Sequence, residues 1–129
     1  MKDGQFAVYR GVEYSAGYEG NGLVLLRSTD SKTLKNGFRK YIKQNGDVIY
    51  VKRVKESKLT EYYTIRTKAI YMGYELEVVD EKDDTVSIVA MGGDYRAWLG
   101  LGMVCIDRGV YQKWVNRDEV EIKTVKEAL

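Results

Sequence analysis

The 129-residue chain is expected to be an all-β protein, on three observations. Eleven tyrosines, many Val and Ile residues and no proline make a strand-leaning composition. No segment longer than about ten residues carries a 3.6-residue apolar period. Short apolar runs instead alternate with Gly- and Asx-centred turns.

The elements follow in order. Ala7-Val-Tyr-Arg-Gly-Val-Glu13 opens the chain as a strand interrupted by a glycine. Gly22–Ser28 reads as a buried strand after an Asn21-Gly22 turn. Tyr41–Tyr50 is the clearest hairpin, because Asn45-Gly46 supplies the positive backbone angles of a tight turn. Ala69–Val79 and Thr85–Met91 flank a second hairpin with the charged tip Asp80–Asp84. Gly102–Ile106 and Val110–Val115 flank a third, around Asp107-Arg108-Gly109. Single helical turns are expected at Lys55–Lys58 and Asn116–Glu119, with one more in the tail Val125–Leu129.

The chain repeats itself. Ala7-Val-Tyr-Arg-Gly-Val-Glu13 matches Ala69-Ile-Tyr-Met-Gly-Tyr-Glu75 at an offset of 62. Tyr50-Val-Lys-Arg-Val54 matches Tyr111-Gln-Lys-Trp-Val115 at 61, and Gly37-Phe38 lines up with Gly102-Met103. A fixed offset between diverged segments is the signature of a duplicated unit. Shared positions such as Tyr9/Tyr71, Gly11/Gly73 and Lys52/Lys113 then belong to the scaffold, with the lysine stems covering apolar surface and their ammoniums in water.

Five short strands per copy, with a helical turn before the last, resemble the SH3-like small β-barrel. That resemblance implies two tandem five-stranded barrels, residues 1–68 and 69–129. The junction Tyr62–Tyr71 has no Gly, Pro or Ser-rich linker, so the copies are expected to pack as one rigid unit. A single larger barrel or sandwich with one shared core is the alternative, since a unit of about 60 residues is marginal alone.

Composition removes several functions. There is no histidine, hence no usual general base and no Ser-His triad. Cys105 is the only cysteine, so neither an internal disulfide nor a metal-ligand cluster is expected. No run approaches the roughly 18 apolar residues of a membrane span, and the N-terminus has no signal-peptide core, which points to the cytosol. Neither an enzyme nor a cofactor is expected.

Charge divides the copies. Residues 1–68 hold 14 Lys and Arg against 7 Asp and Glu; residues 69–129 hold 7 against 12. The basic copy presents Arg39, Lys40, Lys43 and Arg53 among tyrosines, a pattern that serves phosphate contact and base stacking. The acidic copy, with Asp80, Asp83 and Asp84 in its hairpin tip, would complement a basic protein. Head-to-tail association of chains is a third use of the same asymmetry. A Gly-rich loop, Gly92–Gly102, carries Tyr95, Arg96 and Trp98, residue types enriched at interface hot spots. Trp98 has two readings there, as a partner contact or as a plug over the core. Tyr14 and Tyr18 have no aromatic counterpart in the second copy and are further contact candidates. The expected function is a non-catalytic protein-binding module; the alternative is a nucleic-acid-binding one. The chain also resembles in type the small immunity proteins that neutralise bacterial polymorphic toxins.

Overall fold

A computed structural model describes all of residues 1–129. The strands are β1 (Gly4–Tyr9), β2 (Val12–Gly20), β3 (Leu23–Ser28), β4 (Arg39–Ile42), β5 (Val48–Lys55), β6 (Glu61–Tyr71), β7 (Tyr74–Lys82), β8 (Thr85–Met91), β9 (Val104–Asp107), β10 (Val110–Asn116) and β11 (Glu121–Ala128). One α-helix, α1 (Tyr95–Gly100), precedes β9. Short 3-10 turns occupy Ser31–Asn36, Glu56–Lys58 and Arg117–Glu119. No helix is long and apolar enough to cross a membrane.

All paired strands run antiparallel, in the order β4-β5-β3-β2-β1-β6-β7-β8-β10-β9, with β11 on β6. The ladder is open: β4 pairs only with β5, and β9 only with β10. The two closed barrels expected from the sequence are therefore absent. In each copy the third hairpin joins the sheet through its second strand, which leaves its short first strand outermost.

The chain forms two compact units. The first is Gly4–Ile65 with Lys126–Leu129; the second is Arg66–Val125 with Met1–Asp3. The run Ala69–Val79, read as one strand from sequence, is broken by a turn at Met72-Gly73 (φ 48° and 86°), matching Arg10-Gly11 (φ 50° and 79°). The tail is a strand, not a helical turn.

Each unit buries the inward face of its strands. Ala7, Tyr14, Ala16, Val24, Leu26, Phe38 and Val54 make the first core. Ala69, Leu76, Val78, Val86, Ile88, Met103 and Val115 take the corresponding places in the second. The cores are thus built from one template with exchanged side chains.

The connector before β4 and β9 repeats in atomic detail. Asp30 accepts from the Lys32 amide (2.9 Å) and Asp94 from the Arg96 amide (3.0 Å), so each connector starts on an aspartate cap. Each ends on a left-handed glycine, Gly37 (φ 84°) or Gly102 (φ 81°), whose next residue bonds back to Thr33 or Trp98. Above each glycine sits a lysine. Lys52 Nζ donates to the Asn36 carbonyl (2.8 Å) and lies 5.2 Å from the Tyr9 ring centroid. Lys113 Nζ donates to the Leu101 carbonyl (3.0 Å) and the Tyr71 hydroxyl (2.7 Å), 5.0 Å from that ring. The ammoniums are thus tied to helix-terminal carbonyls, where the helix dipole favours a cation, and are not simply hydrated. A Cβ on Gly37 or Gly102 would stand 3.1 or 3.2 Å from that ammonium.

Lys113→Met is expected to lower unfolding stability by about 1–3 kcal/mol, because two charge-assisted hydrogen bonds leave polar atoms unpaired. Lys52→Met, with one such bond in a more exposed place, is expected to cost less. Urea denaturation followed by intrinsic fluorescence measures both; a neutral Lys113→Met would show that the clamp does not hold the connector.

Candidate partner-binding face

Cross-strand register sets which side chains share the outer face of each unit. In the second unit one row runs Glu77 (β7), Val89 (β8), Gln112 (β10), Val104 (β9). The next runs Asp80, Ser87, Trp114. The β9–β10 register shifts between Val110 and Tyr111, which leaves Ile106 unpaired at a bulge beyond this row. Trp114 is 44% exposed, Val104 63% and Ile106 58%. Gln112 Nε2 donates to Ser87 Oγ (2.9 Å), which satisfies the buried serine between them. The face is therefore acidic along β7 and carries the exposed apolar side chains Trp114 on β10 and Val104 on β9.

A cleft of about 520 Å³ opens on the β7 side. Its lining includes Arg66, Glu75, Glu77, Val79, Val89 and Met91. Lys68 pairs with Glu77, and Lys123 with Glu75 at 2.8 Å. The hydrogen bond from Lys123 holds the Glu75 carboxyl below its ordinary range. At the far end, Glu81 accepts from the Met1 ammonium (2.8 Å) and from Arg117 (2.6 Å). Those bonds, the ammonium's first, lower its pKa to about 2. No group of three or more His, Cys, Asp or Glu side chains converges as a metal-ligand set.

The sequence candidates scatter over this frame. Asp80 stands in the row with Trp114. Asp83 and Asp84 form the tip of the β7–β8 hairpin, where their carbonyls accept from Arg117 (3.4 and 2.8 Å). Tyr95, Arg96 and Trp98 lie on α1, beyond the opposite end of β8. Trp98 packs against the core, donates its Nε1–H to the Gly92 carbonyl (2.8 Å) and meets Tyr74 edge-on at 5.4 Å. It plugs the sheet where Thr33 does so in the first unit. Tyr95 and Arg96 stay outside, with the guanidinium 5.8 Å from the Tyr95 ring centroid. Tyr14 is buried against Phe38 at 5.0 Å, in the place of Leu76, and offers no surface. Tyr18 is exposed, and its hydroxyl accepts from the Gly22 amide (3.0 Å).

Of the basic set, Arg39 and Arg53 share the outer face of the first unit, while Lys40 points to the core side. Arg53 is bound by Glu19 through both carboxylate oxygens (2.6 and 3.4 Å). Lys43 lies just past β4 and lines a separate cleft with Arg27 and Asp30. Trp114 and Val104 lie outside the candidates that the sequence offers. The signal was present: Trp114 occupies the variable place in the Tyr-x-Lys-x-Val repeat, opposite Arg53.

A family model described as "Uncharacterised conserved protein UCP033725" matches residues 1–129, and the chain belongs to that family. No curated protein and no solved structure matches the chain.

Trp98→Ala is expected to destabilise the fold by about 1–3 kcal/mol through the core packing and the hydrogen bond it loses, measured by thermal or urea unfolding. The Glu81 pairing predicts a pH effect. Its folded pKa lies below the ordinary 4.5, so its contribution is present above pH 4.5 and is lost as pH falls from there towards 2. Denaturation midpoints of Glu81→Gln should fall less steeply across that window than those of the parent; parallel curves would remove the pairing from the acid response.

Proposed function

We propose that the chain is a non-catalytic protein-binding module of the cytosol whose partner docks on the outer face of the second unit. The supporting observation is the exposed pair Trp114 and Val104 on the outer face of the two edge strands, β10 and β9, of an open sheet. Tryptophan is among the side chains that contribute most when desolvated at the centre of an interface, and contiguous exposed apolar groups mark interaction sites. Asp80 and Glu77 on the same rows favour a partner that adds positive charge beside an apolar centre. Tyr95 and Arg96 on α1 then lie outside the central contact. Within this class, the resemblance in type to immunity proteins makes a toxin the first partner to try.

The test is a pull-down from the native host with the parent, Trp114→Ala and Asp80→Lys, followed by titration of the captured protein. A stoichiometric partner should bind at least about thirtyfold more weakly to Trp114→Ala, the 2 kcal/mol expected of a hot spot, and more weakly to Asp80→Lys. Retention of the partner by both variants, each folded by circular dichroism, would place the site elsewhere.

A further inference from the structure

We propose that the equivalent outer face of the first unit is a phosphate-binding surface for single-stranded nucleic acid. The two units carry the same row at the same place. Ser15, Arg27, Val51 and Arg39 form it in the first unit, where Glu77, Val89, Gln112 and Val104 form it in the second. Arg53 follows on the next row, in register with Leu25, where the second unit has Trp114. Three arginines thus stand where the duplicated scaffold elsewhere places Val, Val and Trp. The scaffold does not need them, so they are the feature that requires a separate explanation.

Side chains paired across strands sit about 5 Å apart and diagonal neighbours about 7–8 Å, so Arg27, Arg39 and Arg53 concentrate positive charge on one patch. The local counter-charge is unevenly placed. Glu19 takes Arg53, while Arg27 donates to the neutral Ala16 carbonyl (2.8 Å) above Gly17, and Arg39 has no acidic partner. Two clefts open on this face. One, of about 350 Å³, is lined by Arg39, Arg53, Lys52, Leu25 and Val51. The other, of about 580 Å³, includes Arg27, Lys43 and Ile49. Glu13 and Asp30 also line the second cleft and keep their charge there, Glu13 accepting the Tyr63 hydroxyl and Asp30 capping the following turn, so the excess of cations lies on the first cleft. The patch therefore offers planar guanidinium donors suited to phosphate oxygens.

The choice of ligand comes from Tyr41. It is 56% exposed, pairs across with Ile49 and shares the outer face with Arg39 two residues away. An exposed ring beside phosphate-binding cations matches the stacking and backbone contacts that single strands use. The unit as a whole supports the approach of a polyanion, with 12 basic against 7 acidic residues, whereas the second unit has 9 against 12.

Fluorescence anisotropy of a labelled oligothymidylate, titrated with the full chain at low salt, tests this reading. The parent should bind with an affinity that falls as salt rises. Arg39→Gln should weaken binding about tenfold and reduce the salt slope by about one unit; Tyr41→Ala should weaken it about tenfold. Trp114→Ala should bind like the parent, which separates this face from the protein-binding one. Both Arg39 and Tyr41 lie exposed on the outermost strand, so thermal melts of the variants should match the parent. Absence of binding, or binding indifferent to Arg39→Gln, overturns the proposal. Tripolyphosphate binding as tight as that of the oligonucleotide and insensitive to Tyr41→Ala overturns the assignment to nucleic acid.

Discussion

The lysine held over a left-handed glycine is the contact on which the remaining geometry depends. In each unit it ties the second strand of the last hairpin, β5 or β10, to the end of the short helical connector. The glycine reverses the chain there, and the following Phe38 or Met103 drops into the core. That anchor sets where β4 and β9 begin, and so which of their side chains face outward. A larger residue at the glycine would have to adopt a left-handed backbone and displace the ammonium. The bond from the lysine ammonium to the carbonyl before the glycine occurs in both units, although the connectors around it share almost no sequence.

Duplication explains why the two faces of the sheet behave differently. Inward positions are limited by packing: volume has to fill the space between strands, so Tyr14 pairs with Leu76 and Leu26 with Ile88, apolar for apolar. Outward positions are limited only by solubility and by what they meet. There the copies exchange arginine for valine or tryptophan in register. The opposite net charges of the two halves are thus concentrated on surfaces that the fold leaves unconstrained.

Much of this was legible in the sequence, for reasons that can be named. The repeat, the Asn45-Gly46 hairpin and the short turns near Lys55 and Asn116 rest on local chemistry, and the structure has all of them. Barrel closure was not legible, since it depends on whether an outermost strand finds a partner far along the chain, and no local pattern encodes that. The helix α1 was hidden because glycines on both sides make its six residues read as a loop. Tyr14 looked like a one-copy contact because aromatic and aliphatic residues can fill the same core place. Trp98 admits two readings from its Gly-rich setting, and only its packing against the core, which half-buries it, separates them. Trp114 is hard to read as a surface residue because its neighbours belong to the frame that the two copies share.

The two ends of the ladder carry this difference into behaviour. An outermost strand presents unpaired backbone groups and invites another strand to pair. β4 is guarded: Arg39 and Lys40 lie on it, Lys43 follows, and like charges oppose a second copy. β9 has Val104, Cys105 and Ile106 in sequence and a single acid, Asp107, at its end. The same scaffold position is thus protected in one unit and left apolar in the other. An unguarded edge beside an exposed tryptophan carries a constant risk of self-association. That risk is removed when a partner covers the strand, and this gives the exposed face of the second unit a reason to stay apolar.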